Sequence, residues 1–201
     1  MKKIIIGVYN KSVILTYIGV IIAFLGMCLV KDNVNIAMAC LVISGICDLF
    51  DGKIARMCKR TDKEKEFGIQ IDSLADVVSF LVFPGIILSN ICEYSLVTYI
   101  VGSLYLLAGI TRLGWFNITT DGSTKYYNGL PVTYSALILP VFYVIFFKIL
   151  KLEFIAGMIL PLIYILIAIL FILNIKIKKP TGVWYIIFSI LAVITIFLLF
   201  C

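Results

Sequence analysis

The stretch that decides how this chain folds reads Asp48-Leu49-Phe50-Asp51-Gly52-Lys53-Ile54-Ala55-Arg56, then eleven residues, then Gly68-Ile69-Gln70-Ile71-Asp72-Ser73-Leu74-Ala75-Asp76, with apolar sequence on both sides. On a helix, spacings of three and four residues bring side chains onto one face. Asp48 with Asp51, and Asp72 with Asp76, therefore form two pairs of carboxylates, one pair per helix. A charged side chain in hydrocarbon costs roughly 2.5–3.5 kcal/mol, so four acids beside a membrane mark a functional site. Divalent metal is the natural compensation for their charge.

Working outward, the chain of 201 residues is 63% hydrophobic, with a mean hydropathy of +1.15, the composition of a polytopic membrane protein. Seven apolar runs suit spanning helices, at about 12–30, 34–57, 68–88, 94–117, 131–147, 153–173 and 183–200. Asn10 or Ser12 is placed to cap the first, after a basic, apolar lead suited to the membrane interface. The charged segment from Cys58 to Phe67 reads as the connection between the second and third spans. This puts the first acid pair at the C-terminal end of one helix and the second pair at the N-terminal end of the next. Thr119 to Asn128 reads as a polar loop, and Pro161 as a kink in the sixth span. The chain is read as one membrane domain, with an interfacial lead at 1–11, a core at about 12–173 and an extra C-terminal span at about 182–200.

Histidine is absent, which removes imidazole both as a metal ligand and as a base. An all-oxygen site favours magnesium or manganese, with calcium also compatible, over zinc. The six cysteines form no Cys-x-x-Cys pair and fall mostly in apolar runs, where they read as small hydrophobes. Met1-Lys-Lys and the Ala37-Met38-Ala39 triplet have a signal-peptide flavour, but the first apolar run is too long for a signal core, and no cleavage is expected. The net charge of +6 comes from basic residues flanking apolar runs, so it points to anionic headgroups rather than nucleic acid. Alternate loops carry thirteen basic residues on one side and three (Lys31, Lys148, Lys151) on the other. By the positive-inside rule the N-terminus and the aspartates face the cytoplasm.

The segment Asp-x-x-Asp-Gly-x-x-Ala-Arg followed by Gly-x-x-x-Asp-x-x-x-Asp resembles the signature of the CDP-alcohol phosphatidyltransferases. Its fixed positions are filled by Asp48, Asp51, Gly52, Ala55, Arg56, Gly68, Asp72 and Asp76. The resemblance implies an all-α transmembrane bundle with a six-helix core, to which this chain adds about one C-terminal span, and a homodimer in the membrane. It implies that Asp48, Asp51, Asp72 and Asp76 hold two divalent cations, and that Asp76 also serves as general base. The donor would be CDP-diacylglycerol or archaeal CDP-archaeol, and an alcohol hydroxyl would displace CMP. Paired carboxylates suit this chemistry, since two cations about 3.5–4 Å apart can both touch a phosphoryl group. Gly52 and Ala55 leave the helix backbone approachable, and Arg56 can neutralise phosphate oxygens.

Asp72 to Phe80 with Pro84, the run Arg112-Leu-Gly-Trp-Phe-Asn117, and Gly129-Leu-Pro131 look most like the phosphatidylserine synthase branch. There a second arginine is expected where Trp115 stands. L-serine is then the expected acceptor, giving phosphatidylserine or archaetidylserine, with Arg112, Asn117 and Lys125 as candidates for acceptor or lipid-phosphate contacts. Acceptors such as glycerol 3-phosphate or inositol phosphate need more intramembrane cations than Arg112 supplies. The rivals are a structural ion-pair network, an intramembrane divalent-cation transporter, and a prenyltransferase. Neither of the first two accounts for Gly52, Ala55, Arg56 and Gly68, and a prenyltransferase places its aspartate motifs on well-separated segments.

Overall fold

The computed structural model describes residues 7–8, 10–119, 126–178, 180 and 182–201. Among them are seven helices long and apolar enough to cross a membrane: α1 (Lys11–Leu29), α2 (Val34–Met57), α3 (Asp62–Ile91), α4 (Leu96–Thr119), α5 (Val132–Ile149), α6 (Glu153–Ile172) and α7 (Val183–Phe200). The protein is a polytopic helical membrane protein. Two three-residue strands, β1 (Tyr126–Asn128) and β2 (Lys176–Lys178), pair antiparallel with Tyr127 opposite Ile177.

The caps explain where the helices begin. Asn10 accepts from the Ser12 amide at the start of α1. Asn33 accepts from the amides of Asn35 and Ile36 at the start of α2. Thr61 and Glu64 form a capping box: the Thr61 hydroxyl accepts from the Glu64 amide, and the Glu64 carboxylate accepts from the Thr61 amide at 2.7 Å. This box corrects the sequence expectation. Asp62 to Phe67 belong to α3 rather than to a connection, so the loop shrinks to 58–61. Gly68, Asp72 and Asp76 lie within α3 instead of at its N-terminal end. The charges had suggested solvent, but they form the first two turns of a capped helix.

α2 is central, packing against α1, α5 and α7, while α4 packs along α6. Large apolar side chains such as Ile21, Phe24, Leu96, Phe154, Leu162 and Phe197 point outward, whereas Ser44, Asp51, Asp76, Ser79, Arg112 and Ser135 are buried. That inversion suits a lipid solvent, in which backbone and polar groups must be satisfied internally.

Proline shapes α3 just beyond the acids. Wide turns bonded to the fifth residue run from Val77 to Val82, and Pro84 follows. Pro84 has no N–H to give the Phe80 carbonyl. The Tyr105 hydroxyl donates to that oxygen instead, at 2.7 Å, with the Ser135 hydroxyl at 3.3 Å, and Tyr164 donates to the Pro84 carbonyl at 2.7 Å. These bonds pin the course of the helix that carries Asp72 and Asp76. In α6 the helix runs unbroken through Pro161, and the Cys92 thiol donates to the Gly157 carbonyl that this proline cannot serve.

The strands stand where only loops were expected. Leading out of β1, Gly129 has φ +76°, and a Cβ there would run into the Phe171 carbonyl. The Gly129 and Leu130 amides donate to the carbonyls of Ile175 and Leu170, so this turn closes over the C-terminal end of α6. The ribbon joins the α4–α5 and α6–α7 connections, which seven alternating spans place on one side, the side of the 58–61 loop. On the opposite side Lys31 lies over the Tyr94 ring, 5.7 Å from its centroid.

Candidate functional site

Helix periodicity on α2 and α3 turns both acid pairs toward the same crevice. Asp48, Asp51 and Asp72 each offer a carboxylate oxygen, and these atoms lie within 4.8 Å of one another. Asp76 stands apart from this triad but meets Asp48 side chain to side chain, as Asp72 meets Asp51. Asp51 and Asp76 are 6% and 9% exposed. Two ionised carboxylates within 4.8 Å repel by at least about 3.5 kcal/mol at an effective dielectric constant of 20. A cation among the three turns that repulsion into coordination, and an all-carboxylate oxygen set fits a hard divalent ion.

Two hydroxyls from outside the signature hold these carboxylates. The Thr16 hydroxyl of α1 donates to Asp51 Oδ2 at 2.7 Å, and Thr133 at the start of α5 is hydrogen-bonded to Asp48. Such outer partners fix ligand orientation before a metal arrives. Gly52 has open space where a Cβ would stand, and the same position on Gly68 lies 3.6 Å from Arg60 Nη1. The crevice rim is therefore open above Gly52, while Arg60 brings a cation over Gly68. Ala55 is half-buried and Arg56 exposed beside this rim.

Across the crevice lies Arg112 of α4, 6% exposed. Its guanidinium stacks on Phe116 and Tyr127, at 4.9 and 5.8 Å from their centroids. It feels the charges of Asp76 and Asp48, yet no ion pair within 4 Å joins it to a described acid, and its Nε has no hydrogen-bond partner. Burial pushes the Tyr127 phenol up to about 12 against the opposing pull of Arg112, so it stays a neutral hydroxyl. Asn117 donates to Ser73 Oγ at 2.9 Å, tethering α4 to α3 beside Asp72. Lys125, the remaining expected acceptor residue, lies outside the described residues.

Thr16, Asp48, Asp51 and Asp76 line one narrow cleft, and two larger cavities lie elsewhere in the bundle, neither of them lined by an acid. One of about 210 Å3 is apolar and lies between α2, α5 and α7, lined by Val42, Ile46, Leu49, Leu137 and Phe188, with Thr133 at its margin. The other, about 240 Å3, lies between α4 and α6. The sequence reading missed Thr16, Thr133 and Arg60; only the last carried a visible cue, as a cation next to the motif.

The chain is similar to several curated proteins. It is 36% identical over 115 residues to an archaetidylserine synthase of Methanothermobacter thermautotrophicus, covering 57% of this chain and 48% of that relative. It is 38% identical over 122 residues to a CDP-diacylglycerol--serine O-phosphatidyltransferase of Helicobacter pylori, covering 57% and 50%. A Saccharomyces cerevisiae protein of the same description is 36% identical over 112 residues, covering 51% and 40%. The chain thus spans about half the length of the curated relatives it matches. A family model described as CDP-alcohol phosphatidyltransferase matches residues 10–197, nearly the whole bundle, and the chain belongs to the CDP-alcohol phosphatidyltransferase family.

Proposed function

We propose that this chain transfers the phosphatidyl group of a CDP-linked lipid, either CDP-diacylglycerol or CDP-archaeol, to the hydroxyl of L-serine, releasing CMP. The observation that carries this reading is the convergence of the carboxylates of two helices: Asp48, Asp51 and Asp72 bring oxygens within 4.8 Å of one another, and Asp76 lines the same cleft as Asp48 and Asp51. Asp48, Asp51 and Asp72, with Asp76 as a further donor, would hold two magnesium or manganese ions. When bound, these supply charge neutralisation at the diphosphate.

The protein's own groups do the rest. Asp76 accepts the proton of the serine hydroxyl, whose oxygen attacks the phosphorus nearest the lipid. The bond from that phosphorus to the bridging oxygen breaks, and CMP leaves with the electron pair. A carboxylate of ordinary pKa near 3.9 is a weak base for an alcohol, so positioning carries much of the acceleration. Arg56 and Arg60 stand at the rim to meet the diphosphate, with Gly52 leaving room for it. The apolar cavity between α2, α5 and α7 suits the lipid tails. The excess of basic residues on the site's side supports a cytoplasmic active site in the cell membrane, and the family resemblance supports a homodimer, which light scattering in detergent measures.

Purified protein given CDP-lipid and magnesium or manganese should release CMP with serine and not with glycerol 3-phosphate, inositol phosphate or inositol, and chelator should abolish the reaction. CMP release that prefers a phosphorylated acceptor would replace serine in this reading. Metal flux without dependence on CDP-lipid would replace transfer by transport. In a background freed of native cysteines, a cysteine at Thr61 should react with an impermeant reagent from the cytoplasmic side and one at Lys151 from the other. The reverse pattern would rule out the orientation.

A further inference from the structure

A cavity of about 640 Å3 opens where the start of α1 meets the end of α2, lined by Asn10, Lys11, Ile14 and Tyr17 on one side and by Lys59 on the other. It shares no lining residue with the acid cleft. At about 100° of turn per residue, Ile14 and Tyr17 lie on a different face of α1 from Thr16, which reaches Asp51.

The cavity has a charged mouth and an apolar continuation. Lys11 and Lys59 are exposed, and no ion pair within 4 Å joins either to a described acid. Glu64, the acid tied to the cavity wall, is already engaged by the Thr61 amide and hydroxyl and by the Asn10 carboxamide. Lys11 opens the first span and Lys59 follows the end of the second, so both stand at the level of lipid headgroups, on the side richer in basic residues. From there Ile14, Ile18, Ile21 and Leu25, 54%, 42%, 59% and 50% exposed, descend along one face of α1. An anionic amphiphile matches both parts. A zwitterionic headgroup would bring its own ammonium up to the lysines, and a soluble phosphate would leave the apolar stripe unused.

The wall of this cavity also reaches the helices that carry the acids. Asn10 caps α1 through Oδ1, and its Nδ2 donates to the Lys59 carbonyl at 3.3 Å and to Glu64 Oε1 at 3.2 Å. Lys59 sits in the short 58–61 loop between the acid-bearing helices, and Glu64 with Thr61 caps α3. A ligand held on Lys59 therefore acts on the segment that joins the two acid pairs.

We propose that this cavity is a second lipid site, separate from the one that takes the donor. It holds the headgroup of an anionic phospholipid between Lys11 and Lys59, with an acyl chain along the α1 stripe, and its occupation steadies the 58–61 loop.

The test is thermal unfolding of the purified full chain in non-ionic detergent, titrated with phosphatidylglycerol, phosphatidylcholine or inorganic phosphate. Phosphatidylglycerol should raise the melting temperature of the wild type, and the other two should not. Each lysine is worth about fivefold toward an anionic lipid, so Lys11→Gln with Lys59→Gln should raise the half-maximal phosphatidylglycerol concentration roughly 25-fold. Both side chains are exposed, so neither change removes a packed group. Lys63→Gln with Lys176→Gln removes the same charge from the same side and should shift it by no more than about threefold. Equal loss in this control would reduce the effect to general surface charge, and equal stabilisation by phosphatidylcholine would remove the selectivity for anionic lipid. Equal stabilisation by inorganic phosphate would make the cavity a phosphate site rather than a lipid site. Hydrogen exchange read by mass spectrometry should slow at the amides of residues 59–61 when phosphatidylglycerol is added to the wild type and stay put in the Lys11→Gln, Lys59→Gln variant. Unchanged exchange in the wild type would break the link to the loop. None of these readouts needs CDP-lipid, serine or metal, so the result stands apart from the serine-transferase reading.

Discussion

The two rims of the crevice are built by opposite means. The α2–α3 rim draws four carboxylates from 29 consecutive residues, 48–76, around one short loop. The α4–α6 rim sets Arg112 against Tyr127 and holds Tyr127 with a ribbon of two short strands from segments far apart in the chain. The acid rim is dense with charge and braced by Thr16 and Thr133; the opposite rim presents one guanidinium braced by aromatic rings. A motif read along two helices can supply the chemistry shared by a family, whereas a rim assembled from separated loops can change its ligand without disturbing that chemistry. If so, changes on the acid rim should damage turnover, and changes on the other rim should damage acceptor use.

The largest effect should come from separating the acids by role. Asp76→Asn keeps size and hydrogen-bonding capacity but removes the proton acceptor, so CMP release should fall about 10²–10⁴-fold, the range for a general base, while CDP-lipid binding by calorimetry is largely kept. Asp51→Asn removes a triad oxygen and should weaken nucleotide binding along with turnover. Near wild-type turnover in Asp76→Asn would place the base elsewhere.

How much of this was readable beforehand follows the same division. The acid rim was legible because helical spacing alone converts Asp48, Asp51, Asp72 and Asp76 into two facing pairs, and the span boundaries follow from apolar runs. The start of α3 was misread because Asp62 to Phe67 looked like solvated charge, although Thr61 and Glu64 spell a capping box. The ribbon was not legible. Three residues carry too little alternation to announce a strand, and Tyr127 meets Ile177 across fifty residues. Thr16 was hidden for another reason. A threonine in an apolar helix ordinarily bonds back to the preceding turn, as Thr111, Thr119 and Thr195 do, and nothing in the sequence marks the one that reaches across to Asp51.

A middle-sized effect should come from that hydroxyl. Thr16→Val preserves shape and leaves Asp51 Oδ2 without its 2.7 Å donor. Loss of such an outer partner typically costs about 10–100-fold in metal affinity or activity. The metal concentration for half-maximal activity should rise by that order, with KM for serine unchanged and Thr16→Ser restoring most of the affinity. A rise in KM for serine instead would mean that the two rims are mechanically joined through α1.

The smallest effect should come from loosening the ribbon without touching a side chain of the site. Gly129 has φ +76°, and its missing Cβ faces the Phe171 carbonyl. Alanine there pays the left-handed penalty of about 1–2 kcal/mol and must also push the turn away from the end of α6, loosening the Gly129–Ile175 and Leu130–Leu170 backbone bonds. The helices and their acids do not depend on those bonds, so kcat at saturating serine should stay within a few-fold of wild type. Tyr127, just before the displaced turn, stacks on Arg112, so KM for serine should rise by several-fold with KM for CDP-lipid unmoved. Steady-state kinetics in both substrates, beside a thermal unfolding curve in detergent, measures this. If kcat collapses as far as in Asp76→Asn while the bundle still melts cooperatively, the ribbon is part of the catalytic machinery itself, and the division of labour between the rims is wrong.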